Sequence, residues 1–406
     1  MKISRWNSKF WLTLLVLFLL VFPKGGFKIA EVPLTWGYLL LALTSLYHFL
    51  RNHLAISSSH LRVLLALLPF QLLSLGLFFI QGINHSGFAL AFITHFFLLP
   101  FLMFALLSKF MQNFDLQFFI PLFKKSLLFI SVYGIFLFFY RIGTGNFLLI
   151  PFLTSNFHDI DSIEIAKCIA RGDLFKLFST YGNGNLYGIC LLMLLPLYQL
   201  VEESFLKRSI VKLSLLLTLS RTVWIGLLLE EIFRHLYIQK PTSSTLTKLA
   251  SRLLAIGLMI GLGLAYLNYD LSFIFDPTLG GRSELLNVFS EWTWIVAEPF
   301  EGISEIVYLS VLKSFGLIGL IFFLVAITSP LWVYVFFTKT QTTPLQRSLI
   351  TGLCVYLFIS CSDGAILYIP VMVFYWFLSS LLLGKHSSIV ESCIITNCCS
   401  FHNQNR

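Results

Sequence analysis

The residues able to do chemistry are few, and most carry charge where the surrounding sequence is apolar. Arg221 stands in Leu219-Ser220-Arg221-Thr222-Val223-Trp224, between two apolar runs. A charge at membrane depth is costly and marks a functional candidate by default. The plainer account is an arginine that snorkels or sets topology, but basic residues are scarce on the side where Arg221 falls. Arg282 follows Gly280-Gly281 and is the basic residue of an otherwise acidic stretch, Asp270 to Glu305. Its glycines would let backbone N–H groups approach an anion, although a salt bridge within the loop accounts for it equally well. Glu298, Glu301 and Glu305 precede an apolar run. A carboxylate partly removed from water there would suit a general base, while acids also favour the first turn of a helix for its dipole alone. Arg141 closes another apolar run and reads first as an interfacial anchor. Asn185, in Tyr181-Gly182-Asn183-Gly184-Asn185-Leu186-Tyr187-Gly188, belongs to a turn leading into a helix cap.

The elements that position these residues are membrane helices. Of 406 residues, 57% are apolar and 12% charged, and the mean hydropathy is +0.84, beyond what a water-soluble core can hide. Apolar runs fall near residues 10–22, 33–50, 62–81, 88–107, 126–141, 186–201, 209–219, 222–237, 252–268, 312–337, 346–361 and 365–383. The runs lack the period-two alternation of a barrel strand, so they predict an all-α polytopic membrane protein with about 12 spans. Ser220-Arg221 interrupts the stretch from Ser209 to Tyr237, which can be drawn as two short spans or one broken one. The net charge of +9 is spread through short loops, a topology signal rather than the basic stripe of a nucleic-acid binder. It places both termini in the cytoplasm. Residues 1–384 then form a single transmembrane helical domain, with long extracytoplasmic loops at 142–185 and 270–304, the second between spans 9 and 10. Long loops on one side of a short-looped bundle mark a working face. The tail, 385–406, is polar and expected to be a disordered cytoplasmic segment.

Several chemistries are not indicated. The seven cysteines show no metal-ligand spacing and no disulfide framework, and no Walker, HExxH or GxSxG motif occurs. No metal and no cofactor is expected. The glycines from Gly257 to Gly263 lie in an apolar run, where small residues more often let helices pack closely. Lys2, Arg5 and Lys9 before an apolar run resemble a signal peptide, but without a small-x-small cleavage site an uncleaved first helix is expected.

In this order, the segments resemble the O-antigen ligase and O-antigen polymerase (Wzy/WaaL-like) superfamily of bacterial envelope glycosyltransferases, mainly over residues 181–383. Gly184-Asn185-Leu186-Tyr187 is similar to the family's Gly-Asn-x-Asn segment, and Leu219-Ser220-Arg221-Thr222 to its Leu-Ser-Arg-Gly/Thr motif. Gly281-Arg282 through Trp292 to Pro299 and Gly302 resembles its Gly-Arg stretch. Tyr308-Leu309 with Gly316-Leu317-Ile318-Gly319-Leu320 is similar to the segment that usually reads His-Asn-x-Tyr-Leu before a Gly-Leu-Ile-Gly helix. The chain departs from the ligase pattern at the histidine, where Glu305-Ile306 stands instead, and this favours a polymerase over a lipid A-core ligase.

The resemblance implies transfer of a glycan from an undecaprenyl-pyrophosphate carrier to a sugar hydroxyl, at the outer face of the bacterial plasma (inner) membrane, without a nucleotide sugar or a metal. Arg221 and Arg282 would face the departing pyrophosphate and Glu305 would take the acceptor proton. Arg141, Asn185, Glu298, Glu301 and Trp292 would contact substrate. The partners implied are the lipid-linked glycan, membrane lipid, and a chain-length regulator and a flippase of the same polysaccharide pathway, whose product is O-antigen, capsule or exopolysaccharide. A ligase or protein O-oligosaccharyltransferase is the nearest alternative. An exporter or flippase of lipid-linked saccharide is more remote, because it would place charges along a central cavity.

Overall fold

In hydrocarbon every backbone N–H and C=O must be bonded within the chain, so long apolar runs fold as helices. The computed structural model describes residues 2–29, 32–52, 56–154, 170–171, 174–235, 292–296, 298–338 and 342–384. The chain is mostly helical, and among the described residues five helices are long and apolar enough to cross a membrane. They are α3 (Ser58–Gln81), α4 (Ser86–Ile93, continuing to Leu106), α6 (Leu116–Thr144), α7 (Gly184–Val201) and α10 (Val307–Phe337). Shorter helices are α1 (Lys2–Leu15), α2 (Trp36–Asn52), α5 (Ser108–Gln112), α8 (Phe205–Leu216), α9 (Arg221–Phe233), α11 (Pro344–Ile359) and α12 (Val371–Leu383). Gly26–Ile29 (β1) and Val32–Thr35 (β2) form an antiparallel hairpin before α2, and Ala170–Arg171 (β3) pairs with Leu174–Phe175 (β4).

Within the described residues the expected apolar runs overlap helices, 365–383 only from Val371; the run 252–268 lies outside the described residues, as do the glycines 257–263, residues 155–169 of the loop 142–185, most of the loop 270–304 and the tail 385–406. The stretch around Arg221 resolves into two helices, α8 and α9, joined by a turn in which Leu219 has φ +50°. At about 1.5 Å per residue, the 12 residues of α8 fall short of the roughly 30 Å of a hydrocarbon core.

α7 is buried on nearly all sides, as its unbroken apolarity requires. Small residues let its neighbours close on it. A Cβ at Gly188 would strike Val223 of α9, one at Gly226 of α9 would strike Leu192 and Ile359, and one at Gly352 of α11 would strike the Met193 carbonyl oxygen. A second centre is aromatic: Phe70 of α3 meets Phe92, Phe96, Phe315 and Phe323 edge to face, at centroid distances of 5.3–5.7 Å.

Three π-helical turns, Val16–Val21, Thr94–Leu98 and Phe101–Leu106, loosen the backbone ladder. Other helices dock on carbonyls of the first two. Tyr181 Oη and Thr180 Oγ1 donate to the Leu20 and Val21 oxygens, Trp376 Nε1 to His95 and Gln71 Nε2 to Phe96. α11 starts with a capping box in which Thr343 and Gln346 bond each other's backbone N–H. Thr343→Ala is expected to cost about 1 kcal/mol, read as a lower midpoint of thermal unfolding in detergent.

Candidate functional site

The acidic run is set by Phe300. Its ring is buried against Phe78, Phe92 and Phe315, its amide donates to Gly82 O at 3.2 Å, and its carbonyl accepts from Asn84 N at 3.0 Å. With Phe300 fixed, Glu298, Glu301 and Glu305 line one cavity of about 340 Å³, together with Ser310, Lys313, Ser314 and Tyr368. All three carboxylates are exposed to it, and Lys313 Nζ lies 3.7 Å from Glu301 Oε2. Gly302 turns the chain at φ +123°, where any Cβ would meet Phe88, and Ser314 Oγ donates to its carbonyl at 3.0 Å.

α10 is broken at Gly316, with φ +70° and ψ −175°, so its residues 307–315 form a separate short helix. The first amides after the break, Leu317 and Ile318, donate to Thr293 O at 2.9 Å and Trp294 O at 3.4 Å. That contact seats the 292–296 segment. Trp292 and Trp294 pack edge to face at 5.6 Å and remain substantially exposed.

Asn185, in the first turn of α7, is engaged at both ends of its amide. Lys176 Nζ donates to Oδ1 at 2.9 Å, and Nδ2 donates to Asp363 Oδ2 at 2.6 Å. Lys176 is 3% exposed and Asp363 1% exposed. The irregular segment 360–364, between α11 and α12, is the meeting point. Ser362 Oγ and Thr222 Oγ1, beside Arg221, share a hydrogen bond at 3.0 Å; Val307 N donates to Ser360 O at 3.2 Å; and Gly364 N donates to Glu305 O at 2.9 Å. The amino-terminal ends of α7, α9 and α10 therefore converge on one segment, each with the positive end of its dipole.

The sequence-predicted residues divide accordingly. Asn185 and the Glu305 carbonyl bond residues 360–364, Arg221 adjoins them through its neighbour Thr222, which was not among the predicted residues, and Glu298, Glu301 and Glu305 share the adjoining cavity. Arg141 stands apart on α6, its guanidinium over the rings of Phe147 at 4.2 Å and Phe175 at 4.3 Å. It lines a small cavity with Lys176. Arg282 lies outside the described residues. Lys176 and Asp363 were not singled out from sequence. The signal was present in Asp363, an acid in the otherwise acid-free stretch from α11 to α12.

A further polar group occupies the opposite ends of α7 and α9. Glu202 pairs with Lys124 at 3.3 Å and Lys207 at 4.0 Å; Glu231 pairs with Lys212 at 2.9 Å and with Arg234; and the fully buried Glu230 accepts from Gln199 at 3.1 Å. These contacts tie α6, α7, α8 and α9 together. Among the described residues no group of histidine, cysteine, aspartate and glutamate could hold a metal ion.

Comparison with protein-family models, with characterised proteins and with solved structures finds no match. The class that fold and composition define is a helical membrane protein.

Proposed function

We propose that this protein polymerises oligosaccharide repeat units carried on undecaprenyl pyrophosphate, at the outer face of a bacterial plasma membrane. Twelve spans, with both termini in the cytoplasm, belong to the same reading. The observation that carries it is the convergence of three helix amino-termini on residues 360–364, with Arg221 next to the Thr222 that bonds Ser362, beside a cavity lined by carboxylates and hydroxyls. Positive helix ends and a guanidinium suit a diphosphate that gains charge as it leaves. A cavity of about 340 Å³ suits one or two sugar rings.

In the proposed reaction, a hydroxyl oxygen of the acceptor sugar attacks the anomeric carbon of the donor glycan. The bond from that carbon to the pyrophosphate oxygen breaks, and undecaprenyl pyrophosphate departs with the electron pair. The hydroxyl proton passes to Glu305. Arg221 takes up the developing negative charge, with Arg282 assigned to it by resemblance. Glu298, Glu301 and Trp292 hold the acceptor, Asn185 lies against the donor, and Arg141 holds the carrier at the interface. The reaction calls for no cofactor.

The test is the purified protein in proteoliposomes with lipid-linked repeat units as sole substrate, the products read as a ladder on a gel. A ladder supports the polymerase. Transfer only after a separate lipid or protein acceptor is added assigns a ligase or oligosaccharyltransferase, and no product under either condition overturns the transferase reading in favour of export. Glu301→Gln is expected to raise the KM for the acceptor roughly fivefold at unchanged kcat, the value of one hydrogen bond of about 1 kcal/mol.

A further inference from the structure

Lys176 and Asp363 are given no part in the proposed reaction, yet they are joined in a buried chain through Asn185, the residue placed against the donor. Two ionisable side chains are buried, where charge is costly, and the Asn185 amide bonds both. An ammonium only donates and a carboxylate only accepts, so the amide has one orientation that satisfies both. Asp363 also sits between Ser362, which holds Thr222 beside Arg221, and Gly364, which holds the Glu305 carbonyl. A shift of Asp363 therefore moves the two ends of the site against each other.

We propose that Asp363 is a positioning residue, locked by Asn185 and Lys176, that fixes residues 360–364 and through them the spacing between the start of α9 and the Glu305 segment. This inference rests on the transferase reading. Its rival is a purely structural role, in which Asp363 only offsets the buried charge of Lys176.

Two double variants separate them. Lys176→Met with Asp363→Asn removes both charges and keeps an oxygen to accept from Asn185 Nδ2. Lys176→Met with Asp363→Leu removes the charges and that hydrogen bond. Each is assayed for repeat-unit transfer per folded molecule, folding being followed by thermal unfolding in detergent. The expected result is comparable unfolding midpoints, near-wild-type kcat for the asparagine variant, and a kcat lower by at least about tenfold for the leucine variant at unchanged KM, as misplacement of reacting groups requires. Equal turnover in both overturns the proposal and leaves the transferase reading standing. Turnover lost in both, with folding intact, assigns the effect to the charges and overturns it too. No product from the wild type overturns the transferase reading and this proposal together.

Discussion

Arg221→Ala is expected to lower repeat-unit transfer by about 100- to 1000-fold, the cost of removing one preorganised donor from a site of developing negative charge. Arg221 stands in the first turn of α9, where backbone N–H groups and the helix dipole already favour an anion, and its neighbour Thr222 ties that turn to Ser362. Arg221→Lys keeps the charge and loses the planar fork, so it is expected to recover only part of the activity. The proteoliposome ladder measures both variants at matched protein. Wild-type rates in Arg221→Ala would remove this residue from the chemistry and with it the main support for a pyrophosphate leaving group.

The second large effect is on folding. Gly352→Val places a branched side chain against the Met193 carbonyl, where α11 and α7 are in backbone contact. The obstacle is main chain of the central helix and cannot swing aside, so the cost is expected to reach about 3 kcal/mol or more, a large share of the 5–15 kcal/mol typical of a domain. Size-exclusion chromatography of the solubilised protein should show the monodisperse peak lost. Gly76→Ala is the control: an added Cβ there has nothing within 4 Å, and alanine favours a helix by roughly 0.5–1 kcal/mol. A normal profile for Gly352→Val would mean that α7 and α11 do not pack as described.

Most helices were legible because the length of an apolar run is a one-dimensional property that hydrocarbon thickness converts directly into a helix. Their ends were not. The run at 126–141 belongs to a helix that starts at Leu116, since Lys124 and Lys125 interrupt hydropathy without interrupting the backbone ladder. The run at 365–383 becomes helical only at Val371, because the residues before it are spent on the irregular segment that receives α7, α9 and α10. For the site, single charges in apolar surroundings exposed Arg221, and the clustering of acids exposed Glu298, Glu301 and Glu305. Asp363 escaped because it fell between two apolar runs and was taken up as an ordinary connection. Lys176 escaped inside a long loop, where a single lysine carries no sign that it will be buried. That these two residues share Asn185 is a three-dimensional fact with no local trace.

The partnership between Asn185 and Asp363 also bears on how the molecule is made. The two are 178 residues apart, and a chain leaves the ribosome amino-terminus first, at about 5–20 residues per second. For roughly 10 to 40 seconds at those rates, α7 sits in the bilayer with its asparagine lacking the carboxylate it will bind. Only when α11 and α12 have entered is the Asn185 amide bonded at both ends. The last two helices thus act as the keystone of the arch, and a nascent chain stalled before them presents an amide missing its carboxylate to the machinery that inspects membrane proteins.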